Sequence, residues 1–338
     1  MSRRRFLGAA TALTGSLALG TLTGCGAGEK SSEKAADPVF GSDVSDVAKD
    51  RFVGAFWNIS DAHIDPTLPE NSDRFLRALS DIAAHDTIFD VIVINGDITD
   101  NGYPEHYDLF RSLVSQSAFT LNDFAFTMGN HEQFLPDTLD PALFAKARDA
   151  FCAAVGRTRV YSDYKMNGAH LYLMGPDADP NINWVRFNVS NEQLTWLEEG
   201  LSQDEADGVL SCIFMHEPLF DTVRYTGRGQ WVQLDMSLEN EEALHEVVAR
   251  HPKAIYFSGH THAYPDTVLG EGGQLFVGSG SVTVSQTRGG LEQGSDVLDG
   301  SYGWLVEIYE HTVEFSLRDF TAGEWVEGLA YSHALSGA

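Results

Sequence analysis

Apolar and polar positions are organised in blocks from about residue 51 onward. The run "FVGAFWNISD" (52–61) is nearly continuously apolar and predicts a buried strand. "SDRFLRALSDIAAH" (72–85) has apolar residues at helical spacing, which predicts an amphipathic helix capped at Ser72. "IFDVIVINGD" (88–97) predicts a strand, "PEHYDLFRSLVSQS" (104–117) a helix starting near Pro104, "DFAFTMGN" (123–130) a strand and "PALFAKARDAFCAAV" (141–155) a helix. This alternation implies a parallel layer covered by helices. It continues through a strand in "GAHLYLMG" (168–175) and a helix in "SNEQLTWLEEGL" (190–201), whose Leu194, Leu197 and Leu201 share a face. Asn188-Val189-Ser190 also matches a glycosylation sequon, but reads here as a helix start. "GVLSCIFMH" (208–216) and "KAIYFSG" (253–259) predict strands either side of a helix in "LENEEALHEVVARH" (238–251). Helical signals stop after residue 265. "GQLFVGSGSVTVSQ", "SYGWLVEIYEH" and "TVEFSLRDF" predict antiparallel strands. The pattern is that of an α/β fold with two packed sheets and outer helices, the second sheet drawn mainly from the C-terminal third.

The polar residues that terminate these strands repeat a chemistry. The first strand ends at Asp61-Ala62-His63, and the second at Gly96-Asp97 followed by Asp100 and Asn101. The third ends at Gly129-Asn130-His131-Glu132, a later one at His216, and the next at Gly259-His260-Thr261-His262. Sites in open α/β sheets form beyond the carboxyl ends of strands. Of 12 histidines, five fall at these ends. Alternate residues of an extended chain point to one side, so His260 and His262 are expected to straddle a common centre, with Thr261 facing away.

Charge and the N-terminus qualify this picture. The 338-residue chain has ordinary apolar (43%) and charged (21%) content but a net charge of −27. Removing the three arginines that precede Gly24 leaves −30. Such a chain repels nucleic acid and anionic headgroups, so no nucleic-acid-binding surface is expected. An anionic substrate would need a local positive centre. Ser2-Arg3-Arg4-Arg5-Phe6-Leu7 resembles a twin-arginine export signal, and Leu22-Thr23-Gly24-Cys25 resembles a bacterial lipobox. The expected organisation is a signal peptide (1–24), a lipidated Cys25 with a polar tether (25–50), a folded domain (51–325) and a C-terminal tail (326–338). The expected location is the outer face of the bacterial cell membrane, held by the lipid anchor. The three cysteines form no C-x-x-C pair, which excludes a zinc ribbon. Cys212 reads as a buried thiol, and a Cys152–Cys212 disulfide is left open.

The ordered set D-x-H, G-D-x-x-D-x-G, G-N-H-E, H, G-H-x-H resembles the calcineurin-like metallophosphoesterases. The resemblance spans roughly residues 52–285. It implies a four-layer α/β/β/α sandwich with two mixed sheets and a dinuclear metal site. Carried over, one ion would take Asp61, His63, Asp97 and His262. The other would take the bridging Asp97 with Asn130, His216 and His260. A metal-bridging hydroxide would attack the phosphorus, and His131, oriented by Asp100, would protonate the leaving group. Mixed N and O donors without thiolate suit Mn, Fe or Zn. Two ions can clamp attacking and leaving oxygens, and a neutral Asn130 leaves the centre positively charged.

Departures narrow the resemblance. Purple acid phosphatases carry a tyrosine ligand where this chain has Asp100. Serine/threonine protein phosphatases hold phosphate with an arginine where it has Asn101. Secreted 5′-nucleotidases add a large C-terminal substrate domain. The arrangement is most similar to bacterial phosphodiesterase-type members, acting on a small phosphorylated substrate, either diester or monoester. Arg224 and Arg228, in the loop after His216, and Tyr264, after the last motif, are candidate substrate contacts. The polar stretch "QTRGGLEQGSDVLDG" is a candidate cover. A second class of function is a non-catalytic surface lipoprotein that binds phosphorylated ligands through a structural dimetal site. It would be signalled by a missing ligand or acid, and none is missing.

Overall fold

The computed structural model describes residues 51–133, 141–178, 187–227, 238–265, 267–269, 273–283, 285–286, 297–298 and 300–335. The elements are β1 (Phe52–Ile59), α1 (Pro69–Ala84), β2 (Val91–Asn95), α2 (Pro104–Gln116), β3 (Phe124–Thr127) and α3 (Pro141–Val155). There follow β4 (Ser162–Met166), β5 (Ala169–Leu173), α4 (Asn191–Asp207), β6 (Leu210–Phe214), α5 (Leu238–Arg250) and β7 (Ile255–Ser258). The chain ends with β8 (Thr267–Leu269), β9 (Leu275–Gly278), β10 (Ser285–Gln286), β11 (Val297–Leu298), β12 (Tyr302–Tyr309), β13 (Thr312–Asp319) and β14 (Glu324–Ala334).

Two six-stranded sheets form, in the orders β14-β13-β12-β1-β2-β3 and β4-β5-β6-β7-β9-β8. A separate pair joins β10 to β11. In the first sheet β1, β2 and β3 are parallel and β12–β14 antiparallel. In the second, β5, β6, β7 and β9 are parallel, with antiparallel β4 and β8 at its edges. Both sheets are therefore mixed.

Strand alternation sorts the core into three clusters. Trp57, Ile59, Ile92 and Ile94 face outward under Phe75 and Leu79 of α1, Phe110 of α2 and Phe151 of α3. Their neighbours Phe56, Val91 and Val93 face inward to meet Leu171, Cys212, Phe214, Phe257, Trp304 and Phe315 between the sheets. Tyr172, Ile213, Tyr256 and Phe276 turn outward under Leu194, Leu197 and Leu201 of α4 and Leu244 of α5. The layers are α/β/β/α. Each fully buried large side chain contributes about 1.5–3 kcal/mol of transfer free energy.

Several expectations are corrected. The C-terminal third is shared between the sheets and does not mainly build the second: β12 pairs with β1, so β12–β14 extend the first, while β7–β9 join β4–β6 in the second. Of the expected tail after residue 325, residues 326–334 belong to the edge strand β14. Val326, Leu329 and Tyr331 pack on the inter-sheet core. Gly328 at φ 76° breaks the phase of their alternation. α1 begins three residues before Ser72, with Pro69 in its first turn and no side-chain cap. Cys152 and Cys212 are free and buried in different clusters. Ser190 does cap α4, accepting from Gln193 N at 3.1 Å.

Candidate metal centre

Five parallel strands end at one place. β1, β2 and β3 deliver the D-x-H, G-D and G-N-H turns from the first sheet, and β6 and β7 deliver His216 and G-H-x-H from the second. The first two turns run side by side as an extension of the β1–β2 pairing. His63 N donates to Asp97 O (2.9 Å), Ile64 N to Ile98 O (3.0 Å) and Asp61 N to Gly96 O (3.2 Å). Asn95 bridges the sheets, its Nδ2 donating to Phe257 O (3.1 Å) and Met215 O (3.3 Å). From the other end of the chain, Ser281 and Thr283 hydroxyls donate to Asp61 O at 3.1 and 3.0 Å.

The ligand-bearing backbone is strained. Asp61 (φ 56°), His63 (42°), Asp97 (49°), His260 (66°) and His262 (48°) all occupy the left-handed region. It costs a non-glycine residue about 1–3 kcal/mol and concentrates at functional sites. The extended-chain argument for His260 and His262 therefore fails: β7 stops at Ser258, and both histidines sit in a tight turn instead. Thr261 is buried, and its Oγ1 accepts from Ala263 N at 3.1 Å, so it holds that turn. Gly129 is needed for close approach, since a Cβ there would collide with Asp97 Oδ1 and its backbone nitrogen.

Asp61, His63, Asp97 and His262 place one donor atom each within 4.8 Å of one another. His63 Nε2 lies 3.0 Å from His262 Nε2, and His262 Nε2 lies 3.1 Å from Asp61 Oδ1. Beside them His216 Nε2 lies 3.1 Å from Asp97 Oδ2, and His260 Nδ1 lies 3.2 Å from Asn130 Oδ1. Ligands bound at about 2.0–2.2 Å to a common ion at tetrahedral or octahedral angles lie about 3.0–3.5 Å apart. These separations are of that kind.

Tautomers agree. A carbonyl only accepts, so His216 Nδ1, 2.8 Å from Asn95 O, carries the proton, and Nε2 presents a lone pair to the centre. His63 Nδ1 is 3.2 Å from Asp100 Oδ1, which likewise directs its Nε2 inward. His216 Nε2 and Asp61 Oδ2 are buried without a hydrogen-bond partner. The Asp97 contact of His216 is close but not aligned as a hydrogen bond. Two buried carboxylates converging with lone-pair nitrogens fit a cation.

Electrostatics without an ion show the same tension. Burial opposes ionisation of Asp97, yet His216 and His131 hold it well below the usual carboxylate range. Burial similarly opposes ionisation of Asp61, but His262 and His216 lower its pKa. Burial keeps the His63 pKa below that of a free imidazole. Burial disfavours the charged form of His131, but Asp97 and hydrogen bonding to Asp100 outweigh it and raise its pKa to about 9. His131 Nδ1 is 2.9 Å from Asp100 O and 3.5 Å from its Oδ1. Its Nε2 is 4.0 Å from Asp97 Oδ2, on the open side of the cluster.

The last residue of the G-N-H-E motif organises the site. Glu132 is fully buried and accepts from Gly129 N (2.7 Å), Thr99 N (2.8 Å), Asp97 N (3.1 Å) and Thr99 Oγ1 (3.2 Å). It clamps the Asp97 turn to the Asn130–His131 turn. Burial, then the Asp97 charge, push its pKa up to about 7. Its signal was its place directly after G-N-H. The partners of Asn95, Ser281 and Thr283 are distant in sequence and left no such signal.

The substrate candidates fare differently. Arg224 lies partly exposed in the turn after β6, and Arg228 and Cys25 lie outside the described residues. So does most of the polar stretch 286–300. Tyr264 is buried between the sheets with its ring 5.2 Å from that of Tyr302, so it is a core residue and not the expected substrate contact.

Comparison with known proteins agrees with this geometry. A "probable cyclic nucleotide phosphodiesterase" of Rhodococcus erythropolis is 25% identical over 273 residues, 79% of this chain and 83% of that protein. A glycerophosphodiester phosphodiesterase of Enterobacter lignolyticus is 27% identical over 177 residues, 51% of this chain and 56% of its own length. The fold is similar to that of a dimetal phosphatase from Danio rerio, with a TM-score of 0.57 and 14% identity over 84% of this chain and all of that one. The sequence profile of the calcineurin-like phosphoesterases matches residues 54–264. With more than half of its length matched and the motif residues gathered at the strand ends, the chain belongs to the calcineurin-like phosphoesterase family.

Proposed function

We propose that the protein hydrolyses small phosphodiesters with the help of two cations. Asp61, His63, Asp97 and His262 would hold one, and Asp97, Asn130, His216 and His260 the other. The observation that carries this reading is the convergence of buried carboxylate and imidazole donors at 3.0–3.1 Å. The donor set suits Mn, Fe or Zn. Bound there, the ions would supply Lewis-acid polarisation of the phosphate, a water of lowered pKa and positive charge in an acidic protein.

His131 is the residue placed to move a proton. Its Nδ1 is engaged by the Asp100 carbonyl and lies near the carboxylate, so its Nε2, 4.0 Å from Asp97 Oδ2, is the nitrogen left to protonate a departing alkoxide. Asp100 also meets His63 Nδ1, so one carboxylate sets the orientation of both rings. Arg224 and Arg228 are the proposed phosphate contacts. Diester preference is supported by the activities for which two relatives are named.

The test is hydrolysis of bis-p-nitrophenyl phosphate beside p-nitrophenyl phosphate, before and after chelation. The expected result is faster turnover of the diester, lost with the metal and restored by Mn²⁺. Metal-loaded, folded protein that turns over neither ester contradicts hydrolysis, and a monoester preference contradicts the substrate class. We further propose export and lipidation at Cys25. Cys25→Ala should then move the protein from the membrane fraction to the soluble one.

A further inference from the structure

Glu217 follows His216 and is fully buried. The backbone at this point is pinned: Tyr256 OH donates to Glu217 O at 3.0 Å, and Gly259 N donates to His216 O at 2.9 Å. The end of β6 is thus tied to β7, which limits where the Glu217 side chain can point. Its Oε1 lies 3.6 Å from His260 Nδ1, the same nitrogen that lies 3.2 Å from Asn130 Oδ1. These separations are close to the about 3.0–3.5 Å of neighbouring ligands on one ion.

We propose that Glu217 supplies a further carboxylate to the second cation position, an inference that rests on the two-cation reading above. The two positions then differ in kind. The first has two imidazoles and two carboxylates. The second has two imidazoles, the Asn130 amide and two carboxylates, five protein donors in all. Five donors exceed the four of a tetrahedral zinc site, and added carboxylate oxygen suits Mn²⁺. The second position therefore favours an ion of higher coordination number. A buried carboxylate also gains most from a nearby positive charge, which a cation at this position provides.

The experiment uses the full chain, stripped with chelator and titrated with Mn²⁺ alone. Calorimetry reads the affinities, and elemental analysis after gel filtration reads the stoichiometry. The wild-type protein is expected to take up two ions. Glu217→Gln should keep the first affinity and weaken the second by at least about 10–100-fold, the loss found when groups that only orient metal ligands are removed. Glu217→Asp, with its carboxylate retracted by one methylene, should fall between. Circular dichroism of the stripped variants checks folding, and Glu217→Asp carries the test if Glu217→Gln does not fold. Wild-type affinity for the second ion in the folded variants overturns the role of Glu217 while leaving the two-cation reading intact. A wild-type protein that binds fewer than two ions overturns both.

Discussion

Glu132 offers the sharpest test of how the site is built, because it is fully buried and organises two of the loops that carry ligands. Replacing it with glutamine keeps the shape and swaps one carboxylate oxygen for an NH2 group. Oε2 accepts from Asp97 N and Gly129 N, and Oε1 accepts from Thr99 N and Thr99 Oγ1. Whichever way the amide settles, its NH2 faces two donors. Two bonds to a charged acceptor are lost, at about 1.5–3 kcal/mol each. The less costly orientation puts the NH2 against Thr99, whose hydroxyl can turn to accept and recover about 1 kcal/mol. The expected destabilisation is about 2–5 kcal/mol, against a total stability of about 5–15 kcal/mol.

Thermal melting of Glu132→Gln at pH 8 should show a midpoint at least about 4 °C lower, at about 2–4 °C per kcal/mol. Thr99→Val removes the hydroxyl bond to Glu132 together with the one the hydroxyl accepts from Gly102 N at 3.0 Å, and should cost about 2 kcal/mol. Catalysis should fall with Glu132→Gln as well, since Asp97 and His131 lose their common brace. A variant that melts like wild type and keeps wild-type kcat would refute the clamp.

The other expectations are brief. Gly129→Ala drives a methyl into Asp97 Oδ1 and its backbone nitrogen; it should destabilise by about 1–3 kcal/mol and abolish cation uptake, checked by elemental analysis. His131→Ala should lower kcat by about 10²–10⁴-fold with bound metal unchanged, and an undiminished kcat removes it as the acid. Ser190→Ala deletes the α4 cap and should cost about 1 kcal/mol by denaturant titration without altering kcat.

The strands that carry ligands were legible because each is an apolar run ended by a polar, glycine-marked turn. Hydrophobic period and turn chemistry point the same way there. The edge strands β4 and β14 were not. "SDYKM" alternates without enough apolar residues to announce burial, and Gly328 splits the alternation in "EWVEGLAYSHA". Sheet membership is hidden in the sequence for a related reason. The segment Tyr302–Tyr309 reads as a strand, but nothing local reveals that its partner is β1, some 250 residues earlier. At the site, residue types and order were legible and backbone shape was not. The i, i+2 spacing of Asp61/His63 and His260/His262 suggested extended chain, yet all four residues have positive φ.

That difference bears on how the centre works. In an extended strand the i, i+2 side chains project side by side about 6.6 Å apart, and a cation would have to draw them together. In left-handed turns the backbone curls so that His262 Nε2 already lies 3.1 Å from Asp61 Oδ1 and 3.0 Å from His63 Nε2. The cost of that curl is met by the surrounding fold: the Asn95 bridge, the Ser281 and Thr283 hydroxyls on Asp61 O, and the Glu132 clamp. None of these four residues belongs to the ligand set, and each ties a ligand turn to an element remote from it in sequence or on the neighbouring strand. Preorganisation therefore resides in the frame and not in the ligands. On this account, removing a frame residue lowers affinity for the cations even though every ligand remains.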